Sequence, residues 1–272
     1  MLVFAYRLLS RLPLGWLHGM GRLLGRLVYA IPGRYRDRLR ANATQAGYDD
    51  PAFARAAAGE IGASMMELAW VWFRSDDALA RVVAPNLHLV EAARRDGRPT
   101  LLLTPHLGGF EVSARYVAQE RPITVLYRPP KQAMLAKLVE SSRASSQVAT
   151  APAAMNGVRQ LVRALRKGEQ IGILPDQVPG AGEGAWGPFF GRDAYTMTLS
   201  ARLARHPGTL VLGAVCQRLP QGRGWHLHLE PIDDPVPESP EAQAAWVNSA
   251  MERLIRLYPQ QYMWGYNRYK NP

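Results

Sequence analysis

The sequence predicts an α/β protein with a mostly parallel mixed sheet flanked by helices. Three observations carry that expectation. Short apolar runs bounded by Gly and Pro, such as "PTLLLT" (99–104), "ITVLY" (123–127) and "QIGILP" (170–175), read as buried strands. Segments of helical periodicity alternate with them, as βαβ units require. The 272 residues, 47% of them hydrophobic, can bury one large core. No linker or repeat divides the chain. The organisation expected is a basic helical segment over residues 1–40 and an α/β domain over residues 41–272.

The elements follow in order. Residues 1–31 read as helical, with Pro13 set to split them in two. "PGRYRDRLRANATQAG" (32–47) reads as a turn and a basic helix. Residues 51–73 form a strong helix, with Pro51 in its first turn and Ala and Met in its middle. "NLHLV" (86–90) and 99–104 read as strands. A helix is expected over 109–118, the strand 123–127 next, and then a helix over 130–144 after Pro129-Pro130. Residues 157–167 read as a helix, 170–175 as a strand and 178–191 as a Gly-rich loop. A helix over 196–205, strands at 209–216 and 225–230, a helix over 239–257 and an aromatic tail close the chain.

Charge and cysteine usage narrow the function. The net charge is +11, and residues 1–40 hold eight arginines against the single acid Asp37. So local a basic segment calls for an anionic surface. At about 100° per residue, Arg7, Arg11, Arg22, Arg26 and His18 share one arc. Leu9, Leu12, Trp16, Leu17, Met20, Leu23, Leu24 and Leu27 lie opposite. That pattern fits a helix lying in a membrane interface rather than a nucleic-acid reader. The Arg-free and Lys-free stretch 12–21 is too short to span hydrocarbon. The one cysteine, Cys216, excludes an internal disulfide and a cysteine metal cluster, and its apolar run reads as a packed strand. His226 and His228 share a strand face, but no third ligand is placed, so no metal is expected.

The chemistry centres on "TPHLGGFE" (104–111). His106 follows an apolar strand at the carboxyl end, where parallel sheets place their sites. Five residues separate it from Glu111, about 140° on a continuous helix. The two meet only if His106 precedes the helix and Glu111 lies in its first turn, with Gly108 and Gly109 providing the backbone freedom. Glu111 would then take a hydrogen bond from one imidazole nitrogen while the other faces substrate. The glycines would open backbone N–H groups to an oxyanion. No G-x-S-x-G elbow is present and the one cysteine lies in an apolar run, so no covalent nucleophile is expected.

Several ordered blocks resemble one family, the late acyltransferases of lipid A biosynthesis, within the wider H-x4-D/E glycerolipid acyltransferase group. They are "HLGGFE" (106–111), "LYRPPK" (126–131), Arg143, "ALRKGEQIGILPDQ" (164–177), "GPFFG" (187–191), "TMTLSARLARHPG" (196–208) and "YPQQYMWGYNRYK" (258–270). The resemblance implies a glycerolipid-acyltransferase-like fold, with His106 as general base and Glu111 as its partner. Arg128, Arg143 and Asp176 match positions of the later motifs and are expected, with Gly108 and Gly109, to bind substrate. It also implies an acyl carrier protein or coenzyme A thioester as co-substrate, with no cofactor. The acceptor implied is a lipid A precursor, and the location the cytoplasmic face of a bacterial inner membrane. An acyltransferase for another polar lipid and a catalytically silent lipid-binding protein are the alternatives. The phenylalanines of "GPFFG" are weighed both as acyl-channel lining and as exposed packing.

Overall fold

The computed structural model describes residues 2–128 and 147–272. The expected helix 130–144, and Arg143 with it, lies outside the described residues. A seven-stranded sheet forms the centre of the molecule. Its strands are β1 (Val82–Val83), β2 (Thr100–Leu103), β3 (Ile123–Tyr127), β4 (Val148–Pro152), β5 (Gln170–Ile173), β8 (Leu210–Arg218) and β9 (Trp225–Pro231). Across the sheet they run β1-β9-β8-β2-β5-β3-β4, and every neighbouring pair is parallel except β8 and β9. The expected mostly parallel mixed sheet is therefore present. Its central strands β2 and β5 are buried along their whole length, as the continuous Leu/Ile runs require.

Helices cover both faces: α1 (Leu2–Leu9), α2 (Leu14–Ala30), α3 (Arg34–Gln45), α4 (Pro51–Phe73), α5 (Ser75–Leu79), α6 (His88–Arg95), α7 (Phe110–Val117), α8 (Met155–Arg166), α9 (Leu199–Ala204) and α10 (Pro240–Leu257). Pro51 starts α4 and the Asp50 carboxylate accepts from Ala52 N, so the N-terminal signal is met where it was read. Pro13 separates α1 from α2 as expected.

Three readings are corrected. "NLHLV" is not a strand: α6 begins at His88, and the amphipathic run through Arg95 shows the 3.6-residue period that five residues were too few to reveal. The Gly-rich stretch 178–191 is a loop only in its first part. From Gly184 it becomes an antiparallel hairpin, β6 (Gly184–Phe189) with β7 (Arg192–Met197), in which Gly187 faces the backbone of α10. The helix expected from 196 starts at Leu199 because β7 occupies the preceding residues. The short strands β1 and β4 carry too little apolar sequence to be read.

The N-terminal helices pack in an unexpected way. α2 buries Leu14, Leu17, His18, Gly21, Gly25 and Tyr29, a face with glycines at its centre. A Cβ at Gly25 would stand 2.1 Å from the Ala58 carbonyl oxygen, and one at Gly62 would stand 2.0 Å from that of Gly21. α2 and α4 thus cross at backbone contact, which only glycine permits. His18 and Leu17 were read as belonging to outward-facing arcs, yet both are fully buried. The glycines gave the hydrophobicity pattern no signal for that face. Much of what stays outside is apolar: Phe4, Leu8, Trp16, Leu23, Leu24, Leu27, Val28 and Ile31 are all at least half exposed, and Arg7, Arg11 and Arg26 are exposed with them. Among the described residues no helix is long and apolar enough to cross a membrane.

Candidate active site

The site lies where β2 and β5 end side by side. These strands pair in parallel with Leu103 opposite Ile173. His106 lies three residues beyond Leu103, and Asp176 three beyond Ile173. The shared register carries both past the sheet edge together, although 70 residues separate them in sequence. His106 Nδ1 lies 2.7 Å from Asp176 Oδ1, and the His106 backbone N–H donates to Asp176 Oδ2 at 2.8 Å. One carboxylate therefore fixes both the ring and its backbone.

Asp176 is 2% exposed. Burial by itself would raise its pKa, but the His106 charge and the two hydrogen bonds from His106 outweigh burial and hold it below the usual carboxylate value. The adjacent Tyr262 is buried too, which drives its phenol well above the ordinary value, and its hydrogen bond to Asp176 pushes the same way. With Nδ1–H directed at a carboxylate, the neutral imidazole exposes its Nε2 lone pair. Gln177 stands on that side, with its Nε2 3.3 Å from His106 Nε2. Phe110 sets its ring edge-on to the imidazole, centroids 5.1 Å apart.

A cavity of about 760 Å³ opens beside His106. Its inner wall is apolar, built from Leu102, Val117, Ile123, Val125, Ala214 and Leu227, while Arg128, Arg202 and Lys270 stand among its lining residues with exposed side chains. A mostly apolar pocket with a few convergent polar groups is the usual form of a small-molecule site.

Glu111 lies in the first turn of α7, as expected, and lines this cavity. The carboxylate bonded to His106 Nδ1, however, is Asp176. Arg128 also lines the cavity and pairs with Glu183 at 3.3 Å. The glycines serve packing. Gly108 adopts φ +57° with its Cα against the Cys216 carbonyl, and a Cβ on Gly109 would meet the Trp225 ring at 2.4 Å. Their N–H groups donate to the carbonyls of Gln261 and Cys216, so neither is open to an oxyanion. The phenylalanines of "GPFFG" reach neither the cavity nor solvent: Phe189 and Phe190 are core residues packed near Trp264 and Tyr269.

Behind the "HLGG" turn lies a buried ionic network that composition did not reveal. Arg218, at the end of β8, has a fully buried side chain bound to Glu67 through Nε and Nη2, to Glu60 through Nη1 and to Ser64 Oγ. His18 and Trp225 add hydrogen bonds to Glu67 Oε2, both at 3.1 Å. Ser64 Oγ donates to the Gly108 carbonyl at 3.1 Å. Gln261 clamps the Arg218 backbone through both amide atoms and accepts from Gly108 N. Met263 N donates to the His106 carbonyl, so the aromatic tail forms the back wall of the site.

A cavity-facing histidine, oriented by a buried acid at the end of a parallel strand, meets its relatives in sequence. The model of the family described as "Bacterial lipid A biosynthesis acyltransferase" matches residues 1–271. The chain belongs to the bacterial lipid A biosynthesis acyltransferases. It is an O-acyltransferase. Among similar proteins, the lipid A biosynthesis lauroyltransferase of Escherichia coli (strain K12) is 29% identical over 213 residues, covering 77% of this chain and 69% of the relative. The palmitoleoyltransferase of the same strain is 26% identical over 212 residues, with the same coverage. A lipid A biosynthesis acyltransferase of Haemophilus influenzae is 27% identical over 214 residues, 77% of this chain and 68% of the relative.

Proposed function

We propose that the protein transfers a fatty acyl chain from an acyl carrier protein thioester to a hydroxyl of a lipid A precursor, by direct displacement, at the cytoplasmic face of a bacterial inner membrane. The observation that carries this reading is that His106 lines an apolar cavity while its Nδ1 lies 2.7 Å from the buried Asp176 carboxylate. In the reaction, Nε2 takes the proton of the acceptor hydroxyl as its oxygen attacks the thioester carbon. The imidazolium that forms is stabilised by Asp176, and its proton leaves with the thiolate when the C–S bond breaks. The orienting part expected of Glu111 falls to Asp176, and Glu111 contributes a second carboxylate on the cavity wall. Arg128, Arg202 and Lys270 supply positive charge for a phosphate-bearing acceptor. The exposed Trp-Leu face of α2, with the arginines of residues 1–40 near it in sequence, supports seating in a lipid interface.

The test is mass spectrometry of lipid A from a host with and without the gene, alongside transfer by the purified protein from carrier-protein and coenzyme A thioesters. The expected result is the loss of one acyl group in the deletion strain and transfer from the carrier-protein thioester. Unchanged lipid A together with no transfer in vitro would overturn the reading.

A further inference from the structure

Acyl transfer through a tetrahedral intermediate needs a donor for the carbonyl oxygen as well as a base. The two glycine N–H groups that the sequence offered for this are spent on the Gln261 and Cys216 carbonyls. The wall beside His106 holds another donor. Gln177 directly follows Asp176, lines the cavity and places its Nε2 3.3 Å from His106 Nε2. Both its chain neighbours are anchored. Asp176 is held by His106, and Val178 N donates to the Tyr266 hydroxyl at 3.0 Å. The carboxamide is therefore carried on a fixed backbone, as a preorganised donor must be.

Because Nδ1–H donates to Asp176, Nε2 carries the lone pair and the Gln177 amide donates to it. That lone pair is the one the acceptor hydroxyl must occupy for its proton to be taken. We propose that Gln177 is a catalytic residue: its amide caps His106 Nε2 before substrate binds and hydrogen-bonds the oxyanion during transfer. The proposal deepens the acyl-transfer reading and rests on it. Arrival of the hydroxyl displaces the amide from Nε2. The attacked carbon then lies roughly 3 Å from the hydroxyl oxygen, which keeps its carbonyl oxygen within reach of the released N–H. As the C–O bond forms, the hydroxyl proton passes to Nε2 and the carbonyl π pair moves onto oxygen, where the amide meets it. Collapse restores the C=O bond, breaks the C–S bond and returns the proton to the thiolate. Gln177 gains and loses no proton.

The experiment compares wild type with Gln177→Ala and Gln177→Glu, using a carrier-protein thioester and a lipid A precursor. Two inert ligands are added: a thioether analogue without a carbonyl, and a phosphonate analogue with a tetrahedral anionic phosphorus in its place. Gln177→Ala should lose about 10²–10³-fold in kcat, with KM within a few-fold and the melting temperature unchanged. Gln177→Glu, which puts an acceptor where a donor is needed, should be at least as impaired. Phosphonate affinity should fall in parallel with kcat while thioether affinity holds, the mark of an interaction made only in the transition state. Near-native kcat in Gln177→Ala, or equal losses for the two analogues, would overturn the assignment. Wild-type turnover, measured alongside, tests the acyl-transfer reading separately.

Discussion

In the proposed mechanism His106 and Asp176, joined by two hydrogen bonds, act as one unit. Replacing His106 by Ala removes the proton acceptor, and the general-base contribution of roughly 10²–10⁴-fold in kcat should vanish with it. Asp176→Asn keeps the shape but presents an amide that can donate to Nδ1. That moves the ring proton to Nε2, where the acceptor hydroxyl needs a lone pair. A loss on the order of 10⁴ in kcat is expected, as when the triad aspartate of a serine protease is made Asn. Glu111→Gln is the companion measurement, and its loss should be smaller because the hydrogen bond to Nδ1 belongs to Asp176. Steady-state kinetics on the three variants check the ranking, and a Glu111→Gln enzyme more impaired than Asp176→Asn would reverse the roles. Asp176 was legible as a strand-end carboxylate. Its pairing with His106 was not, because strand order is not written in a linear pattern.

At the scale of elements, α2 has two apolar aspects with different fates. Its glycine face is pressed against α4 at backbone distance, so it belongs to the fold. Its Trp16, Leu23, Leu24 and Leu27 face is open. Removing the whole segment would therefore unfold α4's partner surface as well as any anchor. The informative variant changes Trp16, Leu23, Leu24 and Leu27 to Gln together. Sedimentation with anionic liposomes should drop severely, while the melting temperature stays within a few degrees. Full retention on liposomes would place the contact elsewhere. The opposite variant, Gly25→Leu, drives a side chain into the Ala58 carbonyl. It should fail to fold or melt far lower with the outer face untouched. The helical segment and its break at Pro13 were foreseen. The packed face was missed because glycine carries no hydrophobic signal.

The whole molecule is tied together by its buried charges. Arg218 meets Glu67 and Glu60 inside the protein. Burial opposes its charge, and the two carboxylates overcome that and raise its pKa. Arg218→Met leaves Glu67 buried without its cation and should cost about 3–5 kcal/mol, read from urea unfolding. The same groups set the response to acid. For Glu60, Glu67 and Asp176 burial works to raise the pKa, yet their cationic partners hold each below its ordinary value. His18 is held below its ordinary value chiefly by burial. In every case the unfolded chain binds more protons on acidification. The His18 contribution is complete above its unfolded pKa of about 6.5 and lost as pH falls further. The carboxylate contributions are complete above about 4 and lost below that. The urea midpoint should therefore be level near neutrality, decline below pH 6.5 and steepen below pH 4. A midpoint level down to pH 3 would contradict this.

Periodicity and punctuation alone determined that α4 runs from Pro51 to Phe73, that β3 is "ITVLY", and that a histidine with two glycines follows a buried strand. Those features are local: a cap, a proline, a run of β-branched and leucine residues, a spacing within one turn. Tertiary structure decided everything that depends on which distant segments meet. Parallel pairing of β2 with β5 chose Asp176 for His106, and the closure of α2 on α4 turned His18 inward to Glu67. The tail from Tyr258 came to hold the backbone of the "HLGG" turn through Gln261 and Met263. Hydrophobic pattern reports how much of a residue must be buried. Which partner satisfies a buried donor or charge is settled only when the strands take their order and the helices their contacts.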